Sequence, residues 1–254
     1  HAGTDHHEVA VARRQVEQLD FYDFLARAFL NDDNNNAGNA DLRPQQNWRY
    51  EFEANRSLGK WGSTKLQLVY VDAEDFVDVV PVDGGESVGN IAKAWAAAAA
   101  WSATINLDPA GLKGVKIDVS VDIEKSGLRD PFTDEKRQWS GFQDRSADFS
   151  LRHDIPRSDW AWGATAVYGH YQPNYRRNEV NRTWEGPVFA SLFVENKNVM
   201  GMTMRAELSN AVNARSRRER TVYEGLRGET PIAFHESRDR LIGPIFKFSV
   251  RGKF

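Results

Sequence analysis

Apolar and polar residues alternate one for one along many segments of this chain. In residues 115–124 every odd position holds Val or Ile, and every even position holds Lys, Asp, Ser or Glu. Successive side chains of a β-strand point to opposite faces, so this pattern predicts a strand with one apolar and one polar face. Its length is sufficient to cross a bilayer, which takes about 9 to 11 tilted residues. The same alternation, without helical spacing, recurs in residues 48–58, 66–70, 101–107, 148–152, 160–169, 200–208 and 245–254.

The segments that connect the predicted strands alternate between short and long. The short ones are residues 59–63, 107–114, 155–159 and 195–198. The long ones are residues 31–47, 73–87, 127–142, 172–187 and about 209–241. Outer-membrane barrels have this asymmetry, with short turns in the periplasm and long loops outside the cell. The sequence therefore predicts an all-β, antiparallel transmembrane β-barrel, to which this chain supplies about ten strands, the first through about residues 8–30.

The final residues, IFKFSVRGKF, have the most specific pattern. Phe246, Phe248, Val250 and Phe254 share one parity with Gly252, and the positions of the other parity between them are Lys, Ser or Arg. This strand resembles the C-terminal strand of bacterial outer-membrane barrels, where a terminal Phe is part of the signal read by the assembly machinery. These four residues are therefore the predicted assembly signal. The edge strand of a soluble β-sandwich has the same alternation and is the alternative interpretation.

Aromatic residues lie near the ends of the predicted strands, where the interfacial girdles of membrane barrels occur. They are Trp48, Tyr50, Trp160, Trp162, Phe246 and Phe254. In a soluble protein the same side chains would form a core.

A run of alanines at residues 96–100 departs from the alternating pattern. Alanine favours helix over strand, so a short helix within a loop is one interpretation. The alternation resumes directly after the run, with Trp101, Ala103 and Ile105 on one parity, and this favours a strand. The uniformity of the run suggests that alanines stand here in place of other residues.

Composition narrows the possible classes of protein. The chain has 254 residues, a formal net charge of −3 and no cysteine. It has no apolar run of about 18 residues, which excludes a transmembrane helix. A polar average hydropathy of the chain is compatible with a membrane barrel, because the lumen face is in contact with water and lipid-facing residues alternate with polar ones. The slightly negative charge gives no support to nucleic-acid binding.

The sequence contains no constellation for bond chemistry, and we predict that the chain is not an enzyme. It has no Cys for a thiol nucleophile, and neither a GxSxG nor an HExxH motif. His153 and Asp154, like His235 and Glu236, are neighbours on predicted strands and would point to opposite faces.

No metal or cofactor is predicted either. Residues 31–38 are rich in Asp and Asn but lack the glycine and the closing glutamate of a calcium-binding loop, so we interpret them as a solvated turn. His1, His6 and His7 have no regular ligand spacing.

Arginines make the last long connection strongly basic. The candidate substrate-binding residues there are Arg217, Arg218, Arg220, Arg238 and Arg240, accompanied by Arg215 and Arg227. Guanidinium groups suit the phosphates of lipopolysaccharide or an anionic cargo such as a ferric siderophore. The alternative is that these arginines form salt bridges with the Asp and Glu residues of facing strands.

Three segments resemble TonB-dependent outer-membrane receptors. Residues 38–44, GNADLRP, followed by an aromatic strand, are similar to the GNxxLxPE signature of that family, with Gln45 where the family usually has Glu. Residues 207–213, ELSNAVN, resemble the family's NLFN motif near the end of the penultimate strand. The closing strand to Phe254 follows in the same order, so the resemblance covers most of the chain after about residue 20.

This resemblance implies that residues 1–254 are the C-terminal portion of a barrel of about 22 strands, without the plug and the Ton box. The start of the chain has neither an initiator Met nor a secretion signal, which fits a mature product or a piece of a longer one. The complete protein would bind a scarce nutrient, such as a ferric siderophore or a glycan, in the Gram-negative outer membrane. Its implied partners are the rest of the barrel and the plug, the TonB complex, outer-membrane lipid, lipopolysaccharide and the assembly machinery.

Two other classes of protein remain as alternatives. One is a self-contained outer-membrane enzyme of the omptin or phospholipase type, which requires an acid and histidine cluster at the outer rim. The other is a soluble β-sandwich binding module, which would pack its apolar strand faces against a second layer of protein.

Overall fold

The computed structural model of the chain describes residues 6–15, 38–83 and 85–252. These residues form β-strands joined by turns and by two short 3-10 segments, Gly59–Trp61 and Asp108–Ala110. Within the same ranges, no helix has the length and apolar character needed to span a membrane. The strands are β1 (His6–Gln15), β2 (Gln46–Ser57), β3 (Gly62–Val82), β4 (Gly85–Asn106), β5 (Val115–Arg129), β6 (Lys136–Arg137), β7 (Gln143–Asp154), β8 (Trp160–Tyr171), β9 (Asn174–Tyr175), β10 (Glu179–Gly186), β11 (Val188–Val199), β12 (Met202–Ser209), β13 (Arg215–Tyr223), β14 (Ile232–Leu241) and β15 (Ile245–Arg251).

Ten strands form one continuous antiparallel sheet. Their order is β1-β2-β3-β4-β5-β7-β8-β11-β12-β15, with the short β6 added to β5. The all-β, antiparallel prediction is confirmed, and the number of strands agrees with the predicted ten. The sheet is open, because β1 and β15 end the order and are not paired with each other in the described residues.

The register of the sheet aligns the apolar positions of neighbouring strands. Residues that are directly opposite each other in an antiparallel pair lie on the same face. One row across seven strands is Ala54, Leu66, Trp101, Val121, Ala147, Tyr168 and Val188. Another is Ile105, Ile117, Leu151, Ala164, Leu192, Leu208 and Phe246. We call this side of the sheet the apolar face.

The opposite side, the polar face, is equally continuous. One of its rows is Thr104, Asp118, Ser150, Thr165, Ser191 and Ser209. Ion pairs connect neighbouring positions on this face, for example Lys65 with Glu53 at 2.8 Å and Arg152 with Glu195 at 2.7 Å. The one-residue alternation read from the sequence is therefore a property of the whole sheet.

The apolar face has no second layer of protein over it in the described residues. Phe246 is 82% exposed and Phe248 is 69% exposed, and large apolar side chains of β2, β3, β4, β5 and β8 are exposed as well. The buried cluster is small and lies toward one end of the sheet, where Ala73, Ile91, Ala94 and Leu128 are covered by Phe76, Val80 and Trp139. A two-layer sandwich would bury its apolar strand faces, which these residues do not do.

The predicted long connection at residues 73–87 is wrong. Strand β3 continues to Val82 and β4 already begins at Gly85. The physical reason is local, because β-branched residues dominate 77–82 and an Asp-Gly pair follows, which is a strong hairpin signal. This strand extension carries most of the small buried cluster.

Three further predicted loops contain strands: residues 127–142 contain the short β6, and the other two contain the strands of a second sheet. Within residues 172–187 and 209–241, β10, β13 and β14 form a second sheet with β9, in the order β14-β13-β10-β9. Strand β13, RSRRERTVY, has no apolar alternation to identify it, and pairing on both sides with β10 and β14 holds it extended. The second sheet continues the strands of the first one beyond breaks at Gly186, Ser209 and Leu241.

The short connections agree better with prediction. Residues 107–114 and 155–159 join β4 to β5 and β7 to β8 as expected. The turn predicted at 195–198 is displaced, because β11 runs on to Val199 and the chain reverses at Met200 and Gly201, both with positive φ. Such a pair of positive φ values matches the right-handed twist of a two-residue hairpin.

The alanine run lies inside strand β4, so the interpretation as a short helix is wrong. Ala97 and Ala99 lie on the apolar face, opposite Tyr70 and Leu68. Strand β1 covers the first part of the predicted 8–30 strand, and residues 16–37 lie outside the described ranges, as does Phe254.

Candidate functional site

Charged side chains and one tyrosine ring, from four connections, meet at one end of the main sheet. We call this group the loop cluster. Its members are Asp78, Glu86, Asp130, Arg137, Tyr175, Arg176 and Arg227. They come from the β3–β4 hairpin and from the connections β5–β7, β8–β10 and β13–β14.

Asp130 is the centre of the loop cluster and is only 1% exposed. Its Oδ2 accepts hydrogen bonds from Arg137 Nε and, at 2.7 Å, from Arg227 Nη2. Its Oδ1 accepts from the backbone N–H groups of Phe132 at 2.9 Å and Thr133 at 3.1 Å. Burial acts to raise the pKa of Asp130, but the hydrogen bonds from Arg227, the Phe132 N–H and Arg137 outweigh it, so the pKa lies below its ordinary value.

The two arginines that bind Asp130 also enclose Tyr175. The guanidinium carbon of Arg137 is 4.6 Å from the ring centroid, and that of Arg227 is 5.4 Å from it. Arg137 also donates to Asp78 at 3.0 Å. Burial raises the pKa of the Tyr175 hydroxyl, against the opposing effect of both arginines.

A second buried carboxylate extends the cluster. Glu86 forms an ion pair with Arg176 and accepts a hydrogen bond from the backbone N–H of Arg177 at 2.7 Å. The carbonyl of Arg176 in turn accepts from Arg227 Nε at 3.2 Å. The carboxylates of the cluster are thus occupied by arginine and backbone donors, which suits a latch between loops better than a site for a further ligand.

The predicted substrate-binding arginines are divided between the two faces of the second sheet. The register places Arg218, Arg220, Arg238 and Arg240 on one face, which we call the arginine face. Arg217 and Arg215 lie on the other, where both contact Asp239, at 3.7 Å and 2.5 Å. Arg227 is not near either group, because it belongs to the loop cluster.

Half of the arginine face is neutralised by ion pairs. Arg220 and Arg238 both contact Glu236, and Arg220 is also 3.4 Å from Glu179. Arg218 lies directly opposite Arg238, and Arg240 lies opposite Ser216. Neither Arg218 nor Arg240 has a carboxylate within 4.0 Å in the part of the chain that the structure describes. The salt-bridge interpretation therefore holds for Arg215, Arg217, Arg220 and Arg238, and substrate binding by these arginines stays a prediction.

The two neighbouring pairs of His and acid behave as expected of strand residues. His153 accepts a hydrogen bond from Trp162 Nε1 at 3.1 Å on the apolar face, whereas Asp154 binds Arg152 and Lys197 on the polar face. His235 contacts Thr221, while Glu236 binds arginines on the opposite face. Neither pair forms a hydrogen-bonded dyad.

Sequence reasoning missed one close pair of His and acid. His170 Nδ1 lies 2.5 Å from Asp144 Oδ1, and its Nε2 lies 3.0 Å from Arg182 Nη1. The two residues are 26 positions apart, so no local spacing could reveal them. Both ring nitrogens have partners, and these contacts join β7, β8 and β10.

The predicted assembly-signal residues Phe246, Phe248 and Val250 share the apolar face of β15. They line the edge of the sheet next to Leu208, Ala206 and Met204 of β12. Phe254 lies outside the described residues.

Both motifs of the family resemblance make specific contacts. Asn39 donates to the carbonyl of Val88 at 3.0 Å, which attaches residues 38–44 to strand β4. Asn210 is fully buried, where it donates to the carbonyls of Ala214 and Gly243 and accepts from the Ala214 N–H. Asn210 thereby joins two of the three strand breaks that separate the first sheet from the second, those after Ser209 and Leu241.

The described residues contain no group of three or more His, Asp or Glu side chains that could hold a metal ion. Most of the 31–38 loop lies outside the described residues. A shallow cavity of about 600 Å³ runs along the polar face, with Lys65, Asp118 and Asp148 among its lining residues. No model of a known protein family matches the sequence, and no curated protein is significantly similar to it.

Proposed function

We propose that this chain is part of the wall of an outer-membrane transport barrel of the TonB-dependent receptor type. The observation that carries the proposal is the apolar face, which is continuous across the sheet and has no second layer of protein over it among the described residues. A surface of this size and composition is stable in hydrocarbon, and in water it would drive association. The polar face then lines an aqueous interior.

The open edges of the sheet support a barrel larger than ten strands. An unpaired strand edge in hydrocarbon leaves N–H and C=O groups unsatisfied, at a cost of several kcal/mol each. Strands β1 and β15 present such edges in the described residues. Further strands of the barrel would pair with them. The resemblance to TonB-dependent receptors implies about 22 strands in total, with a plug in the lumen. A self-contained ten-stranded enzyme would instead need β1 and β15 to pair with each other.

The cargo would be an anionic nutrient, captured at the outer end of the barrel. Arg218 and Arg240 are the arginines of the second sheet that have no carboxylate neighbour among the described residues, so they can offer their guanidinium donors to a ligand. Charge-assisted hydrogen bonds of this kind are roughly twice as strong as neutral ones. A ferric siderophore has suitable carboxylate or catecholate oxygens. In the complete receptor, import would follow from gating energised through TonB, without bond chemistry by this chain.

Membrane fractionation of cells that express the native polypeptide tests the class of protein. We expect the polypeptide in the outer-membrane fraction, with an intact mass several-fold above the 28.8 kDa of this chain. Recovery as a water-soluble monomer would overturn the membrane assignment. Recovery in the outer membrane with a mass near 28.8 kDa would overturn the receptor and favour the self-contained barrel.

Uptake of a radioactive ferric catecholate tests the cargo. Cells with the native protein should accumulate it, and a protonophore should abolish the accumulation because TonB draws on the proton gradient. Replacing Arg218 and Arg240 by Gln should weaken uptake affinity about ten-fold or more. The matched control is Arg157→Gln, in the short turn between β7 and β8 at the other end of the sheet, which should leave affinity unchanged. Equal affinity in all variants, or uptake of a neutral glycan alone, would exclude an anionic cargo at these arginines.

A further inference from the structure

A groove opens at the end of the apolar face where strands β4 and β5 meet β6. Its volume is about 590 Å³. Tyr70, Trp95 and Gly127 form its apolar part, and Lys93, Arg129 and Lys136 bring cationic side chains to it. Asp72 also lines the groove, and so does Arg137 of the loop cluster.

The register shows that the three cations point outward, on the same side as the apolar face. Trp95 lies opposite Gly127, and Arg129 lies opposite Lys136, so these positions share one face with Lys93. The alternate residues Leu128 and Arg137 also oppose each other and point inward, where Arg137 joins the loop cluster. The loop cluster therefore fixes the strand pair that presents the outward cations.

The charges of the groove are only partly neutralised. Lys93 and Lys136 have no carboxylate within 4.0 Å among the described residues, and Arg129 pairs with Asp134, whose side chain is 75% exposed. Lys125 and Arg145 continue the basic strip on the same face, since they lie opposite Ala97 and Ile123. The acidic residues of this region are Asp72, Glu74, Asp134 and Asp144, of which Glu74 lies opposite Lys93 and Asp144 is 3.6 Å from Arg145. The five cations of the strip thus exceed these anions by one.

Apolar surface adjoins the cations on one side. Moving along β3 and β4 from the groove, the outward positions are Tyr70 and Leu68, then Ala97, Ala99 and Trp101. At Gly127, a Cβ atom would lie 2.4 Å from the Trp95 indole nitrogen, so the indole lies directly over the glycine backbone. A ligand with an anionic head and hydrocarbon chains matches this order of charge, aromatic ring and aliphatic surface.

From this juxtaposition we infer that the groove binds the phosphorylated headgroup of an outer-leaflet lipid, with its acyl chains along the apolar face. Lys93, Arg129 and Lys136 neutralise the phosphates, and Trp95 packs beside the headgroup. The inference rests on the proposed function, because it requires the apolar face to be in a bilayer. It assigns the outward side of β4, β5 and β6 to lipid, whereas the arginine face serves cargo.

Native mass spectrometry of the complete protein in detergent tests the inference, with a bisphosphorylated glucosamine lipid as the probe. Each cation near a membrane surface contributes about a five-fold increase in affinity, so replacing Lys93, Arg129 and Lys136 by Gln should weaken binding about 100-fold. The matched control replaces Lys60, Lys113 and Arg157 by Gln, which removes three charges from turns at the opposite end of the sheet. This control should bind the lipid like the parent.

The outcomes separate the site from the proposed function. If the protein is found in the outer membrane but the groove variant binds the lipid like the parent, or the control loses binding equally, the headgroup site is wrong and the barrel stands. If inorganic phosphate at the same concentration displaces the lipid, the groove is a phosphate site and not a lipid site. If the parent protein is not a membrane protein, the proposed function is wrong, and the lipid site that rests on it is wrong as well.

Discussion

Arg227 donates a hydrogen bond of 2.7 Å to the carboxylate of Asp130, 97 positions earlier in the chain. The Arg227 side chain is 8% exposed, so the contact is closed to water. It connects the β13–β14 turn of the second sheet to the end of β5 in the first. The loops at this end of the molecule therefore form one connected structure.

Removing the charge of Asp130 should release the loop cluster. The Asp130→Asn variant leaves Arg227 buried without its carboxylate and Arg137 with Asp78 alone, and breaking a buried pair costs about 3 to 5 kcal/mol. Spin labels at the exposed positions 135 and 229 should give a narrow distance distribution in the parent and a broad one in the variant. The control Asp134→Asn breaks the exposed pair with Arg129 and should preserve the narrow distribution. An unchanged distribution in Asp130→Asn would show that the cluster does not hold the loops.

The same contact predicts how the loops respond to acid. The pKa of folded Asp130 is below its ordinary value, so its stabilising effect is complete above the unfolded pKa of about 3.9 and is lost as pH falls through the lower folded value. The distance between labels at 135 and 229 should stay constant from about pH 8 to pH 5 and broaden below about pH 4. Broadening as pH rises through neutrality would contradict this direction.

The buried Asn210 should be essential to the junction between the two sheets. In Asn210→Ala, the N–H of Ala214 and the carbonyls of Ala214 and Gly243 lose their partner, and each unsatisfied buried group costs about 1 to 3 kcal/mol. Thermal unfolding in detergent should shift to a lower temperature, with early loss of protection from exchange in β13 and β14. The nearby Val212→Ala, at a position that is 58% exposed, serves as the control. Equal stability of the two variants would contradict the role of Asn210.

A charge on the apolar face of the last strand should prevent insertion. Phe248→Arg places a cation where the proposal requires hydrocarbon, at a cost of up to about 4 kcal/mol. Ser249→Glu is the matched control, because it places a charge on the polar face opposite Arg205. The yield of heat-modifiable protein in the outer membrane should fall for the first variant alone. A folded, soluble Phe248→Arg protein would remove the membrane hypothesis.

Local alternation was sufficient to predict much of the main sheet. In residues 115–124 of β5 the residues on opposite faces differ in polarity at every position, and turns such as 107–114 and 155–159 interrupt the alternation where the strands end. Antiparallel pairing of neighbours then follows from short connections. The one-residue period also predicted correctly that His153 and Asp154 lie on opposite faces.

The rest of the fold and of the candidate site depends on pairing between residues that are far apart in the sequence. Strand β13 is polar at almost every position, so its fold is set by partners in β10 and β14 that no local pattern reveals. The division of the arginines into two faces follows from that register, and so does the pairing of Asp144 with His170. The loop cluster joins residues from four connections, and a single sequence contains no signal for such a meeting.

Residues 97–100 of β4 allow the most direct test of the central claim, that the apolar face contacts lipid and the polar face contacts water. All four are alanine, so the sequence there has no polarity pattern, and register alone decides which side chains face outward. These 254 residues contain no cysteine, so a cysteine introduced at each position in turn places the only spin label in this part of the native protein, which is measured in a bilayer. Labels at 97 and 99 should be accessible to oxygen dissolved in lipid, and labels at 98 and 100 to a water-soluble nickel chelate. Exclusion of both reagents from 97 and 99, or equal accessibility at all four positions, would contradict the account.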